Sequence, residues 1–403
     1  MNAVGIDVSK GKSMVTILRP FGEIVSSPFE IKHTSSDILS LIKLIHSIEG
    51  ESRIVMEHTG HYYEVLAQQF SAAGLFVSAV NPKLVKNFNN DSLRKVKSDK
   101  ADSIKIARYA LDKWQNLKPY SIVDELRTQL KAMNRQFHFY VKQKTAMKNN
   151  LINLIDQTYP NANTYFNSPP RSDGSQKWVD FVYTYWHVDC VRKMSLNSFV
   201  KHYQNWCKQK KYIFNKSKAE EIYTQSTELV PVFPKNEITK RIIRQAIAQL
   251  NSTSATVETI RILMNETASK LPEYPIVMQF KGIGPSFGPQ LMAESGDITR
   301  FTHKGALTAF AGVDPGVNES GSYAQKSVPT SKRGSSNLRK TLFQVMDVLI
   351  KTMPQDDPVY QFMDRKRAQG KPYYVYMTAG ANKFLRIYYG RVKEYLCILS
   401  ESS

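Results

Sequence analysis

Four carboxylates in the first 102 residues have the chemistry and spacing that divalent metal ions require. Asp7 interrupts the apolar opening Asn-Ala-Val-Gly-Ile-Asp-Val, and a carboxylate among core residues needs a partner. Glu57 ends another apolar run, while Asp99 and Asp102 lie three residues apart and would share one helix face. Such oxygen ligands could hold two Mg²⁺ ions about 4 Å apart, which activates a nucleophile and stabilises a leaving oxygen in phosphoryl transfer.

The elements that would position these acids follow from turn signals and apolar periodicity. We predict strands at residues 3–8, 13–19, 23–31, 53–57 and 76–80, and helices at about 35–48, 62–73 and 98–111. The resulting order, βββαβαβα, is that of the ribonuclease H-like fold, in which the fourth strand lies beside the first. Asp7 and Glu57 would then face one crevice. We therefore predict an α/β domain over residues 1–120.

Each acid also has a purely structural interpretation. Asp99 could complement the positive end of its own helix. Glu57 could pair with Arg53 or a loop lysine, and Asp7 with Lys10. Their joint occurrence at the ends of the right elements favours the metal site.

Charge indicates the substrate class. The 403 residues include 55 Lys and Arg against 35 Asp and Glu, a formal charge of +20, which favours a polyphosphate partner over a merely soluble basic surface. A basic segment surrounds the second pair of acids and suggests an approaching phosphate backbone, although a solvated loop is the alternative. Its basic residues are Lys86, Arg94, Lys95, Lys97, Lys100 and Lys105.

Other classes are disfavoured by the composition. No run approaches the roughly 18 apolar residues of a membrane span, and no signal peptide precedes the first strand, so we expect a cytoplasmic, nucleoid-associated protein with no membrane partner. The three cysteines, Cys190, Cys207 and Cys397, show no paired spacing. Neither a disulfide framework nor a zinc site is therefore predicted.

The middle of the chain, residues 121–272, is predicted to consist of long coiled-coil helices with an inserted subdomain at about 159–235. The helices could pair within one chain or between protomers. The insert mixes aromatic and basic residues, which could stack on bases, but the core of a small helical subdomain is the favoured interpretation. The predicted seams are Leu126, Leu130, Met133, Phe137, Tyr140, Met147, Leu151 and Leu154, and Ile243, Ile247, Leu250, Val257, Met264 and Ala268.

The last predicted domain, residues 273–403, is mainly α-helical. Gly282 and Gly284, in a Gly-x-Gly-Pro turn before a helix, are similar to the helix-hairpin-helix element that binds DNA phosphates, with a plain helix-helix turn as the alternative. A polar, glycine-rich loop follows and contains Ser320. Judged by its surroundings alone, Ser320 is an ordinary turn residue.

Taken together, these motifs closely resemble the DEDD transposases of bacterial insertion sequences, the group that includes the Piv invertase. The resemblance extends over almost the whole chain, although the long middle segment departs from compact members. The motifs are Gly-Ile-Asp-Val-Ser-Lys, Glu-His-Thr-Gly, Ser-Asp-Lys-Ala-Asp, Gly-Ile-Gly-Pro, Ala-Gly-Val-Asp-Pro, Glu-Ser-Gly and Ser-Lys-Arg-Gly-x-x-x-Leu-Arg.

The resemblance implies a RuvC-like domain whose four acids are Asp7, Glu57, Asp99 and Asp102, and a C-terminal transposase domain whose nucleophile is Ser320. By sequence chemistry alone, Ser322 and Ser331 are the alternative nucleophiles. It further implies a covalent phosphoserine intermediate, Mg²⁺, donor and target DNA, a noncoding bridge RNA, and a dimer or tetramer. Contacts to nucleic acid are expected from the last motif through Lys332, Arg333 and Arg339.

Three other functions are compatible with parts of the pattern. A Holliday-junction resolvase or related nuclease would use metal-activated water and need no serine. A noncatalytic nucleic-acid-binding protein with a decayed nuclease fold is disfavoured by four intact acids. An ATPase of the actin and sugar-kinase type also begins with a Gly-Ile-Asp strand, but the later glycine-rich phosphate loops are missing from the sequence.

Overall fold

The computed structural model describes residues 1–58, 62–88, 98–120, 124–314, 319–320, 323–324 and 330–401. The chain divides into two compact units, Met1–Val123 and Asp124–Ser403.

The first unit contains a mixed five-stranded sheet with the order β3-β2-β1-β4-β5. β1 pairs antiparallel with β2, and β2 with β3, whereas β4 lies parallel to both β1 and β5. The predicted neighbourhood of the first and fourth strands is thus confirmed. The strands are β1 Asn2–Val8, β2 Lys12–Leu18, β3 Ile24–Lys32, β4 Ser52–Glu57 and β5 Phe76–Val80.

Helices cover both faces of this sheet because β1 and β4 are apolar on both sides. Ile6 and Met56 pack with α1 and α2 on one face, while Ala3 and Val55 pack with α4 on the other. The helices are α1 Ser35–Ser47, α2 Tyr62–Ala72, α3 Pro82–Asn87 and α4 Asp99–Asp112.

The short helix α3 was not predicted. Its start carries a recognisable signal, since Pro82 occupies the first turn and the Asn81 side chain accepts a hydrogen bond from the Lys83 amide at 3.0 Å. Six residues are too few to show helical periodicity, so the cap was the only indication.

In the second unit, the two long helices α5 Glu125–Asp156 and α10 Glu237–Ala268 pack against each other within one chain. The six seam residues predicted for α10 are all buried. The seam of α5 is confirmed at Leu130, Phe137 and Leu151 but is wrong at its end, where Ile155 is buried and Leu154 is partly exposed. A straight α-helix drifts relative to a strict heptad repeat, which shifts the buried stripe by one position.

The insert between these helices has an aromatic core, as the favoured interpretation predicted. It contains α6 Lys177–Thr184, α7 Asp189–Arg192, α8 Leu196–Gln209 and α9 Lys216–Glu228. Its core also includes Ile155 of α5 and Ile247 of α10, so the insert packs onto both long helices. The buried aromatic residues are Tyr159, Tyr165, Trp178, Phe181, Tyr185, Trp186, Phe199, Tyr203 and Trp206.

The remaining elements are mainly helical and share a second core with α5 and α10. The predicted loop around Ser320 contains two short antiparallel strands, in which Ser320 pairs with Tyr323. No helix among the described residues is long and apolar enough to cross a membrane. The elements are α11 Tyr274–Val277, α12 Phe287–Ser295, α13 Lys304–Ala311, β6 Glu319–Ser320, β7 Tyr323–Ala324, α14 Ser336–Thr352, α15 Pro358–Ala368 and α16 Tyr373–Glu401.

Candidate functional site

Asp7 and Glu57 lie side by side on one face of the sheet. The parallel register pairs Ile6 with Met56, so that the two acids are the next residues on neighbouring strands. Side chains alternate between faces along a strand, and Val55, two residues before Glu57, packs against α4. The sheet therefore directs both carboxylates toward the α4 side, as the fold prediction required.

Helix α4 lies unusually close to the first strand because Gly5 has no side chain. A Cβ atom at Gly5 would lie 2.4 Å from both the Ala107 nitrogen and the Ser103 carbonyl oxygen, so no larger residue fits. A buried hydrogen bond of 2.7 Å joins the Ser103 and Thr16 hydroxyls and fixes the same contact. This close packing holds the first turn of α4, which contains Asp99 and Asp102, near the end of β1.

The four acids influence one another electrostatically. Burial raises the pKa of Asp7 to about 6, and the negative charges of Asp102 and Asp99 contribute to the rise. Burial also raises the pKa of Glu57, with further contributions from Asp7 and Asp102, while the positive charge of Lys105 opposes them. Like charges are thus concentrated where a cation would stabilise the ionised forms.

The simpler pairings considered for these acids are absent from the part of the chain that the structure describes. Arg53 forms its ion pair with Glu51 at 2.7 Å rather than with Glu57. Among the described side chains, none forms a hydrogen bond or ion pair with the carboxylate of Asp7 or Glu57. Ser98 does cap α4, accepting from the Ala101 amide at 3.2 Å, but a cap and a metal ligand set are compatible.

The donor set fits a divalent cation in its chemistry. Carboxylate oxygens are the ligands that Mg²⁺ prefers. Burial and the neighbouring carboxylates raise the pKa values of Asp7 and Glu57, and a bound cation would stabilise their ionised forms. Over the described part of the chain, however, no group of three or more His, Cys, Asp or Glu side chains is close enough to hold a metal ion. Ligation would therefore require these carboxylates to approach one another more closely.

Of the basic residues predicted near these acids, three are described by the structure and three are not. Lys86 and Lys100 are exposed, and the Lys105 ammonium donates to the Lys86 carbonyl oxygen at 3.1 Å. This contact links α3 to α4. Arg94, Lys95 and Lys97 lie outside the described residues.

The Gly-x-Gly-Pro turn lies in the second unit, before α12. Gly282 has φ +76° and packs against Leu349 and Val345, so a side chain there would be both strained and crowded. A Cβ atom at Gly284 would face open space. Packing therefore does not limit the space at Gly284, whereas Gly282 shapes the backbone.

The ends of the segment that carries Ser320 are held by hydrogen bonds. The Ser331 hydroxyl donates to Asp314 Oδ1 at 2.9 Å, and Arg339 Nη1 donates to the Ala311 and Gly334 carbonyl oxygens at 3.0 and 3.1 Å. The structure thus gives Arg339 main-chain partners within the protein.

The other candidates in this segment differ in their surroundings. Lys332 and Arg333 are exposed, and Lys332 adopts φ +49°. Ser322, the alternative nucleophile nearest to Ser320, lies outside the described residues.

Two features were not predicted from the sequence. His138, Lys142 and Lys340 line an open cavity of about 590 Å³ beside α5 and α14. Glu294 of α12 is only 6% exposed. The sequence does contain a signal for the burial of Glu294, because this carboxylate follows the apolar run Leu-Met-Ala, much as Asp7 lies among apolar residues in its strand.

Comparison with known families places these features in context. A DEDD transposase model of the IS110 type matches residues 4–160, and a model described as Transposase IS116/IS110/IS902 family matches residues 274–361. A search of curated proteins finds no match. The first matched region contains Asp7, Glu57, Asp99 and Asp102, and the second contains Ser320. The chain belongs to the IS110 family of DEDD transposases, the enzymes by which insertion sequences act on DNA.

Proposed function

We propose that this transposase cuts and rejoins DNA strands through a covalent phosphoserine at Ser320, assisted by Mg²⁺ at Asp7, Glu57, Asp99 and Asp102. The observation that carries the proposal is the group of carboxylates contributed by β1, β4 and α4, in which burial, with the charges of Asp102 and Asp99, raises the pKa of Asp7 to about 6. Bound Mg²⁺ would supply charge neutralisation and Lewis-acid activation.

The proposed reaction consists of two balanced phosphoryl transfers. In the first, Ser320 Oγ loses its proton and forms a bond to the scissile phosphorus, while the bond to the leaving deoxyribose oxygen breaks and that oxygen takes up a proton. In the second, a deoxyribose hydroxyl of another strand attacks the phosphoserine. The bond to Ser320 Oγ breaks, the serine regains its proton, and the DNA backbone is restored without an external energy source.

The proposed partners are donor DNA, target DNA and a noncoding bridge RNA encoded by the element, bound by a dimer or tetramer. The formal charge of +20 supports polyanionic partners. We propose contacts from exposed Lys86, Lys100, Lys332 and Arg333, and from the turn at Gly284. We also propose that residues 121–272 form the helical middle domain and that residues 273–403 form the transposase domain.

The nucleophile is tested by Ser320→Ala, compared with Ser322→Ala and Ser331→Ala at the two alternative candidates. Labelled donor and target DNA, the flanking element RNA and Mg²⁺ are incubated with each variant, and protein-DNA adducts are separated on denaturing gels. Ser320→Ala should bind DNA normally but form no adduct, whereas Ser322→Ala and Ser331→Ala should still form it. An adduct that persists in Ser320→Ala would move the nucleophile elsewhere.

The same gels distinguish the resolvase or nuclease alternative. An enzyme that uses activated water cleaves DNA without an adduct, and its cleavage does not depend on Ser320. Asp7→Asn should abolish cleavage in either mechanism while RNA binding is retained. Full cleavage by Asp7→Asn would contradict the proposed metal site.

A further inference from the structure

Glu294 is a buried carboxylate in the helical unit, on α12. Its Oε1 accepts hydrogen bonds from Asn134 Nδ2 at 2.9 Å and from Asn337 Nδ2 at 3.4 Å, and its Oε2 accepts one from the Ser335 hydroxyl at 3.0 Å. No described cation forms an ion pair with it. A buried charge held only by neutral donors is costly, and an apolar residue would pack here at a lower cost. The two oxygens instead connect α5 to the start of α14.

Ser335 is the residue at which the segment containing Ser320 returns to the core. Its hydroxyl also caps α14 by accepting from the Leu338 amide at 3.1 Å, and its own amide donates to the Phe310 carbonyl oxygen at 2.8 Å. The negative charge of Glu294 beside this cap is favourably placed at the helix N-terminus.

The two ends of the segment meet at this point. Lys332 N donates to the Gly312 carbonyl oxygen at 3.3 Å. A Cβ atom at Gly334 would lie 1.9 Å from the Phe310 carbonyl oxygen, so the chains approach as closely as glycine permits. The position of Ser335 therefore determines where both ends of residues 312–334 lie.

We infer that Glu294 is a positioning residue, which anchors Ser335 and thereby both ends of the segment that carries Ser320. The inference rests on the proposed function of Ser320 as the nucleophile. Glu294 itself does not react with DNA, and it affects the transposase reaction only by holding Ser335 in place. Displacement of a nucleophile by about 1 Å can reduce a rate by about a hundredfold.

The test compares Glu294→Ala with Asn134→Ala in the full-length protein. Both variants remove the hydrogen bond between α5 and α12, but only Glu294→Ala also removes the contacts with Ser335 and Asn337 at the start of α14. At saturating DNA, Glu294→Ala should slow single-turnover adduct formation by about tenfold or more. Asn134→Ala should remain within about threefold of the wild type, and both variants should bind DNA with unchanged affinity.

A second pair of variants changes the other partner. Ser335→Thr keeps the hydroxyl and should retain the wild-type rate. Ser335→Gly is tolerated at a helix N-cap but has no hydroxyl to donate to Glu294, so it should be as slow as Glu294→Ala. The inference is supported if adduct formation slows only in the variants that lose the hydrogen bond between Ser335 and Glu294, and stays fast where that bond is kept.

Amide hydrogen exchange of residues 331–335 gives a readout that is independent of the nucleophile. Exchange should accelerate in Glu294→Ala and stay unchanged in Asn134→Ala. Equal exchange and equal adduct rates in these two variants would overturn the inference. A wild-type protein that forms no adduct would contradict the proposed function and with it any positioning role, while the exchange data would still show whether Glu294 anchors Ser335.

Discussion

Gly5 packs directly against the backbone of Ala107, since a Cβ atom at Gly5 would lie 2.4 Å from the Ala107 nitrogen. The Gly5→Ala variant must therefore displace α4 from β1. We expect a loss of about 1–3 kcal/mol in the free energy of unfolding of the first unit. Because α4 carries Asp99 and Asp102, the rate of Mg²⁺-dependent DNA cleavage should fall even under conditions in which the variant remains folded.

Gly390→Ala is the control for this variant. Gly390 lies in α16, and no atom lies within 4 Å of a Cβ atom built there, so alanine should be neutral or slightly stabilising. Thermal unfolding and cleavage assays check both variants. Equal stability of Gly5→Ala and the wild type would show that α4 does not depend on this contact.

Asp7→Asn should stabilise the metal-free protein at pH 8. The pKa of Asp7 is raised from 3.8 to about 6 on folding, so the folded state binds more protons than the unfolded state between these values, and stability falls as pH rises through this window. For a half-buried carboxyl, screening reduces the gain from its removal to about 1–2 kcal/mol.

Thermal unfolding in EDTA between pH 3.5 and pH 8 checks this prediction. The advantage of Asp7→Asn should disappear below about pH 4, where the wild-type carboxyl is protonated in both states. Added Mg²⁺ should narrow the difference at pH 8, since the ion stabilises the wild type preferentially. An unchanged melting temperature of Asp7→Asn at pH 8 would contradict the assigned electrostatics.

Arg339→Gln and Arg333→Gln remove the same charge from different environments. Arg339 donates to main-chain carbonyl oxygens, whereas Arg333 is exposed. Arg339→Gln should therefore lower the free energy of unfolding by about 1–3 kcal/mol and leave the salt dependence of DNA binding unchanged.

Arg333→Gln should leave stability unchanged and reduce the slope of log Kobs against log salt concentration by about 0.9. Titrations at several salt concentrations measure both slopes. A reduced slope for Arg339→Gln would show that Arg339 also binds phosphate, as the motif resemblance suggested.

The buried ion pair between Arg127 and Glu273 joins α5 to the residue before α11, with one contact of 2.9 Å between Nη2 and Oε2. Arg127→Met alone should cost about 3–5 kcal/mol because it leaves the carboxylate buried and unpaired. The double variant Arg127→Met, Glu273→Leu should recover most of this loss. Denaturant unfolding of the single and double variants measures the recovery, and equal losses in both would contradict a charge-based explanation.

The first unit was largely predictable because its signals are local. Strands with alternating or continuous apolar residues, separated by short turns, specified the element order, and that order placed Asp7 and Glu57 on neighbouring strands. The carboxylate pair could be predicted because Asp7 interrupts one apolar run and Glu57 ends another. The roles of the four acids as ligands stay predictions.

Features that depend on packing at a distance were not predictable. The shift from Leu154 to Ile155 arises from helix geometry in the contact with α10 and the insert. The two antiparallel strands at Ser320 and Tyr323 have two residues each and are too short to show alternation of apolar and polar residues. The hydrogen bond between Glu294 and Ser335 joins residues 41 positions apart, and no local sequence pattern predicts such a contact.

The aromatic insert has a consequence for how the chain can be divided. Leu151, Ile155, Ile243, Ile247 and Leu250 of the long helices are buried in the same core as the aromatic residues of the insert. If the insert were excised, these five side chains would be left in water at the outer ends of both helices. The insert and the distal parts of these helices therefore form one cooperative folding block, and a minimal active fragment of this enzyme must retain it whole.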